Sequence, residues 1–307
     1  MSETPDQKRG VTSEPFVLHG YDGEQLAGYH WRVDQDGVQL GAAESAATRH
    51  PRAALLMLHG YAEHAGRHEG LAMAAAAAGF SVWAFDQRNH GNSPGSVRGS
   101  VDGYETALAD LAALQMHARE VTGGLPTFLF GHSMGGAIAL RYALEHPERL
   151  DGLVLSAPFL QDAAKRPAAL SAAAPLLGHL LPSVPTARVP AAAISRDAGE
   201  VARYEADPLI YRGGVRADAA ATMLTQGTQL LRLAGALAVD TLVVHGSADQ
   251  VADVAGSQRL AAVSPRVTLA VQEGGYHELH HDAAQSGVPA ATRSAILAWL
   301  EARLQHP

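Results

Sequence analysis

The chain has no cysteine in its 307 residues. That absence excludes disulfides, thiol catalysis and thiolate zinc sites. Positive charge is scarce as well. Lys and Arg number 23 against 31 Asp and Glu, a net charge of −8, which is no footprint for a nucleic-acid partner. No apolar stretch approaches the ~20 residues of a membrane-spanning helix. Residues 1–14 are polar, carry both charges and lack the apolar segment of a secretory signal. A soluble, cytoplasmic protein is expected, peripheral to membranes at most. With 47% hydrophobic residues, a chain of this length can bury a full core, as one large domain or as a domain with an insertion.

Apolar runs and helical stretches alternate along the first half. Residues 16–33 read as a hairpin around Asp22-Gly23, a strong turn dipeptide. Residues 34–52 are polar and aperiodic, a surface loop longer than most. Residues 53–58 and 80–85 are continuous apolar runs, as in strands buried on both faces. Helical stretches follow them at 69–78 and 101–121. Two further apolar runs, 127–130 and 150–155, flank a helix at 137–145. Alternation of this kind implies a mainly parallel sheet wrapped by helices. In such sheets ligands bind beyond the carboxyl ends of the strands. The pattern stops between 159 and 235, where helical stretches at 176–181 and 223–233 are separated by loops containing Pro182, Pro185 and Pro190. It resumes with strands at 241–244 and 267–271 and a last helix at 288–304. The organisation is therefore an α/β core from 15 to 158, a helical cap inserted at 159–235, and the rest of the core at 236–307.

Within that frame Gly131-His132-Ser133-Met134-Gly135 stands between a strand and a helix. The order strand, Gly-x-Ser-x-Gly, helix is a nucleophile elbow, which exposes the serine hydroxyl above the sheet. With 31 glycines in the chain the pattern alone is weak, and Gly91-Asn92-Ser93-Pro94-Gly95 matches it too. Pro94 has no N–H, so it cannot supply the oxyanion donor that must follow a nucleophile, and no helix opens there. Ser133 is the candidate nucleophile and Ser93 a loop residue.

A serine hydroxyl needs a base, and the base needs a carboxylate to fix its tautomer. An elbow enzyme carries them in the order Ser, acid, His at the ends of later strands. Asp249 and His277 occupy those places. Asp253 is a rival acid, but it sits where the next helix begins and fits a cap better. The oxyanion hole needs two N–H groups: Met134, directly after the nucleophile, and Tyr61, on the loop after the strand ending at Leu58. Of 16 histidines, His132 fits packing or hydrogen bonding below the serine, and His59 stabilisation of its own loop. His64, His68, His90 and His280 fit no helical metal pair, and no metal is expected.

Together these residues resemble a known family. The matching pieces are His59-Gly60-x-x-Glu63-His64-x-Gly66-Arg67, Asp86-x-x-x-His90-Gly91-x-Ser93, Gly131-His132-Ser133-Met134-Gly135-Gly136, Ser156-Ala157-Pro158, His245-Gly246-Ser247-Ala248-Asp249 and Tyr276-His277-x-Leu279-His280. In the cap, Ser195-Arg196 and Tyr204-x-x-Asp207-Pro208-Leu209 add to them. The chain resembles the α/β-hydrolases of the monoacylglycerol lipase group, lysophospholipase-like and related to serine aminopeptidase S33, from about residue 16 onward. The resemblance implies a Ser133–Asp249–His277 triad, an oxyanion hole from Tyr61 and Met134, an apolar acyl tunnel under the cap, and no cofactor. It also sets Glu63, Arg67 and His280 where the family meets the glycerol end, with a structural ion-pair network as an equal alternative. Two departures stand out. Asn89 replaces a common glycine, and Tyr61 stands where mammalian lipases have a small residue, so the alcohol side is expected to be narrower.

The expected activity is hydrolysis of a monoacylglycerol through an acyl-serine. A lysophospholipase, a broad carboxylesterase, a thioesterase or a prolyl-type aminopeptidase would use the same machinery. A non-catalytic ligand-binding protein on this fold is the alternative outside enzymes. The expected partner is a small lipid-like ester, with transient membrane or micelle contact through the cap. Leu176, Leu177, Leu180, Leu181 and Leu209 are the apolar cap residues expected to favour an acyl chain. Nothing in the residues sets an oligomeric state.

Overall fold

The computed structural model describes residues 10–33, 50–101, 103–164, 168–281 and 288–305. The loop expected at 34–52 lies almost wholly outside them. The sequence opens with β1 (Val11–His19) and β2 (Gln25–Val33), an antiparallel hairpin. Then come β3 (Ala53–Leu58), α1 (Glu69–Ala77), β4 (Phe80–Phe85), α2 (Tyr104–Thr122), β5 (Thr127–His132), α3 (Met134–Glu145) and β6 (Gly152–Ser156). The chain next forms α4 (Ala168–Leu180), β7 (Pro185–Ala187), α5 (Ala198–Ala206), β8 (Val215–Arg216) and α6 (Ala217–Leu233). It ends with β9 (Thr241–Gly246), α7 (Val254–Val263), β10 (Val267–Gln272) and α8 (Val288–Gln305).

Eight strands form one sheet in the order β1-β2-β4-β3-β5-β6-β9-β10. Only the β1–β2 and β2–β4 pairs are antiparallel; from β4 to β10 every pair is parallel. The sheet is mainly parallel and flanked by helices, as the alternation of apolar runs implies, and the fold is the α/β-hydrolase that the family resemblance implies. Every residue of β3, β4, β5, β6 and β9 is buried, which explains why these strands read as unbroken apolar runs. Successive side chains leave a strand on opposite faces. Leu56 and Leu58 therefore join a core containing Leu111, Ile138 and Leu140, while Leu55 and Met57 join a second with Leu71, Ile296 and Leu300.

The differences from the expected elements have local causes. α2 starts at Tyr104 rather than 101, because Gly103 stands before it at φ +85°. The strand expected at 150–155 begins at Gly152. α5 was not anticipated. It has no fully buried residue and hence no apolar stripe to read; Asp197 caps it, accepting from Gly199 N at 2.7 Å and Glu200 N at 3.1 Å.

Asp86, just past β4, organises the loops at that end of the sheet. Its carboxylate accepts from Ala65 N at 2.8 Å, Asn92 N at 2.7 Å and the Tyr29 hydroxyl at 3.1 Å. Asn89, at the position where the resemblance expects glycine, has φ +66°. Asparagine is among the few other residues that tolerate this left-handed region, so the departure leaves the backbone requirement intact.

Candidate active site

β5 runs into Ser133 and α3 leaves it without an intervening loop. Ser133 is held at φ +53° and ψ −118°, a strained conformation for a residue with a side chain. The turn is locked from both sides: Ser133 N donates to Ser156 O at 3.0 Å, and Phe159 N donates to Ser133 O at 2.9 Å. The flanking glycines are steric necessities. A Cβ on Gly131 would lie 2.4 Å from Gly135 O, and one on Gly135 would lie 2.4 Å from His59 O and 2.5 Å from Leu58 O.

The Ser133 hydroxyl is 2.9 Å from His277 Nε2, and His277 Nδ1 is 2.7 Å from Asp249 Oδ2. A carboxylate can only accept, so Nδ1 carries the proton and Nε2 is free to accept from the serine. Asp249 Oδ1 accepts from Val251 N at 2.7 Å and Ala252 N at 3.0 Å. Ser133 is 7% exposed and His277 4%. Burial opposes the charged imidazole, but the adjacent Asp249 carboxylate outweighs it and raises the His277 pKa above its usual 6.5. Burial likewise opposes the Asp249 carboxylate, yet His277 and His245 hold it below the ordinary carboxylate range.

The rival residues have other partners. Asp253 caps α7, accepting from Ala255 N at 2.9 Å. The Ser93 hydroxyl donates to Asp86 O at 2.5 Å and accepts from Ala27 N at 2.9 Å. His59 Nδ1 bonds Gly60 O at 2.7 Å, and Gln87 N donates to its Nε2 at 2.8 Å. His132 Nδ1 reaches Ser156 O at 3.1 Å. Burial pushes both rings down to about 3, so they stay neutral. Among the described residues, no three His, Asp or Glu side chains are grouped to hold a metal.

Met134 N is the first amide of α3, a donor its own helix cannot satisfy. Tyr61 follows Gly60 after β3. Its hydroxyl donates to Gly99 O at 2.8 Å and accepts from Arg216 N at 3.3 Å. The phenol thereby ties the loop after β3 to the end of β8. Glu63 fixes the preceding peptide, accepting from Gly60 N at 2.6 Å.

Behind this loop lies a buried polar cluster. Arg67 Nε donates to Glu63 Oε2 at 3.0 Å and Nη2 donates to Glu278 Oε2 at 2.5 Å. His68 Nε2 is 3.2 Å from Glu63 Oε1, and its Nδ1 is 2.9 Å from His280 Nε2. Burial opposes both carboxylates, but His68 and Arg67 hold Glu63 well below the usual range, and Arg67 brings Glu278 down to about 2. Burial lowers the His280 pKa well below the ordinary value. Of the three residues expected at the glycerol end, Glu63 lines the cavity, whereas Arg67 and His280 stand behind it. Glu278, which the sequence reading passed over, lines it too. Its position directly after His277 was the available signal.

The cavity has a volume of about 420 Å³, within the usual range of small-molecule sites. Ser133, His277, Tyr61, Glu63 and Glu278 form its polar end. Phe159, Ile194, Ile210, Val215, Met223 and Leu224 supply apolar wall, and Asp162, Arg188, Glu205, Arg212 and Gln250 line it as well. The leucines expected to favour the acyl chain do not line it. Leu176 and Leu180 are 61% and 62% exposed, because the α4 face that carries them points to solvent.

The serine aminopeptidase S33 family model matches residues 49–284. The chain is 37% identical to the monoacylglycerol lipase of Mycolicibacterium smegmatis over 237 residues, covering 76% of this chain and 84% of that one. It is 34% identical to the Homo sapiens monoglyceride lipase over 253 residues, covering 81% and 83%. Among solved structures it is similar to the Paleococcus ferrophilus monoacylglycerol lipase, with a TM-score of 0.74 and 29% identity over 83% of this chain and 96% of that one.

Proposed function

The chain belongs to the serine aminopeptidase S33 family of α/β-hydrolases, and from that premise we propose that it releases a fatty acid from a monoacylglycerol. It is a carboxylic ester hydrolase with a serine nucleophile. The observation that carries the reading is the Ser133–His277–Asp249 line of hydrogen bonds, at 2.9 and 2.7 Å, opening into an apolar cavity.

In the proposed mechanism Ser133 attacks the ester carbonyl while His277 Nε2 takes its proton. The Met134 and Tyr61 amides hold the oxyanion, where a single such donor is worth about 10²–10³ in rate. Asp249 keeps Nδ1 protonated and steadies the imidazolium. His277 then gives its proton to the departing alcohol, and a water activated by the same ring frees the acid from Ser133. The acyl chain lies along Phe159, Ile194, Met223 and Leu224, and the alcohol lies toward Glu63 and Glu278.

No helix among the described residues is long and apolar enough to cross a membrane. The exposed Leu176, Leu180, Leu181 and Val184 form the face through which the segment 159–235 touches a membrane or micelle to collect its substrate. The test is a rate panel of mono-, di- and triacylglycerols, lysophospholipids and peptides across acyl lengths. Monoacylglycerols are expected to have the highest kcat/KM. Faster turnover of lysophospholipids or peptides would overturn the reading.

A further inference from the structure

Glu278 is 3% exposed and lines the same cavity as Ser133 and His277. Its Oε2 accepts from Arg67 Nη2 at 2.5 Å and lies 3.3 Å from His281 Nδ1. Its Oε1 has no hydrogen-bond partner among the described residues. Glu63, the other carboxylate on Arg67, differs: Oε1 takes Gly60 N and His68, and Oε2 takes Arg67. Two buried carboxylates therefore share one guanidinium, and the uncommitted oxygen belongs to Glu278. Arg67 stands behind the cavity wall, and the arginines that do line the cavity, Arg188 and Arg212, are solvent-exposed.

We infer that Glu278 makes the alcohol end of the cavity a charge filter, admitting esters of neutral or cationic alcohols and rejecting esters whose alcohol bears a phosphate. The inference rests on the reading above, in which the alcohol of the ester lies at this end. A hydroxyl or an ammonium group can satisfy Oε1. A phosphate finds the nearby guanidinium already engaged by Glu63 and Glu278, and meets a carboxylate that is only 3% exposed, where charge repulsion is stronger than in bulk water. It also loses hydration, which a neutral phenol such as that of Tyr204, lining the same cavity, replaces only in part.

The test uses three water-soluble hexanoyl esters, of glycerol, choline and glycerol 3-phosphate, at pH 8, where an imidazole of ordinary pKa is neutral. With the wild-type protein, kcat/KM for the phosphate ester is expected at least about 100-fold below that for the glycerol ester, with the choline ester within about tenfold of it. In Glu278→Gln the phosphate penalty is expected to shrink at least about tenfold, and the choline ester to fall relative to the glycerol ester. A second variant, Glu278→Met, leaves the balanced Glu63–Arg67 pair and is expected to shift the ratios the same way. Equal wild-type rates on the phosphate and glycerol esters would overturn the filter whether or not either variant folds. Unchanged ratios in a folded variant would remove Glu278 from it. If the wild type cleaves a chromogenic ester but none of the three, the monoacylglycerol reading fails and the filter falls with it.

Discussion

Replacing Arg67 by methionine removes the one cation between two buried carboxylates. The side-chain exposures are 8% for Arg67 and 4% each for Glu63 and Glu278. Leaving a buried charge without its partner typically costs about 3–5 kcal/mol. A ceiling follows from protonation, since a stranded carboxylate can escape by binding a proton. From an unfolded pKa of ~4.3 that escape costs about 4.4 kcal/mol at pH 7.5 and about 1.6 kcal/mol at pH 5.5. In the wild type Glu278 is held at about 2 and Glu63 well below its usual value. Their contribution is complete above the unfolded pKa and is lost only as pH falls from there toward 2, so it stays nearly constant between pH 7.5 and 5.5. In Arg67→Met one carboxyl is pushed up instead, so the folded variant binds a proton and recovers stability as pH falls. The variant is therefore expected to be about 4 kcal/mol less stable at pH 7.5 and about 2 kcal/mol less at pH 5.5. Urea unfolding of both proteins at both pH values reads this as a midpoint shift on the order of 1 M that shrinks on acidification. A shift below about 0.3 M at pH 7.5, or a gap that widens at pH 5.5, would refute the reasoning.

Asp249→Asn is expected to lower kcat by about 10³–10⁴ with little change in KM, because Nδ1 loses the acceptor that fixes the ring's tautomer. His277 must be neutral to take the Ser133 proton, and its pKa is raised above 6.5. The acid limb of kcat/KM should therefore fall above that pH in the wild type and move down in Asp249→Asn; an unmoved limb would contradict the assignment. Gly135→Ala sets a Cβ 2.4 Å from His59 O and should destabilise the fold by about 3 kcal/mol or more, seen as a fall in Tm, whereas an unchanged Tm would mean the elbow can relax. Leu176→Ser with Leu180→Ser should weaken sedimentation with lipid vesicles several-fold while sparing turnover of a short soluble ester. Equal vesicle binding would remove the α4 face from membrane contact.

The sheet was legible because strands buried on both faces leave unbroken apolar runs, as at residues 53–58 and 80–85. The positions of Ser133, Asp249 and His277 followed from chain order along that sheet, and they lie in one hydrogen-bonded line. The cavity wall was not legible. Phe159, Ile194, Ile210 and Val215 come from separate segments, Met223 and Leu224 from α6, and no periodicity joins them. The cap leucines misled for a related reason: an apolar helix face has the same pattern whether it meets a core or, as on α4, solvent. Glu278 escaped notice because a charged residue beside a motif histidine ordinarily reads as surface, and its partner Arg67 lies 211 positions away.

The most direct test of the account is to trap the acyl-enzyme. Brief reaction with a chromogenic ester, acid quench and peptide mass spectrometry should find the acyl group on the peptide carrying Ser133. Ser133→Ala should neither be acylated nor release fatty acid from a monoacylglycerol. Acylation at another residue, or undiminished release by Ser133→Ala, would contradict the account.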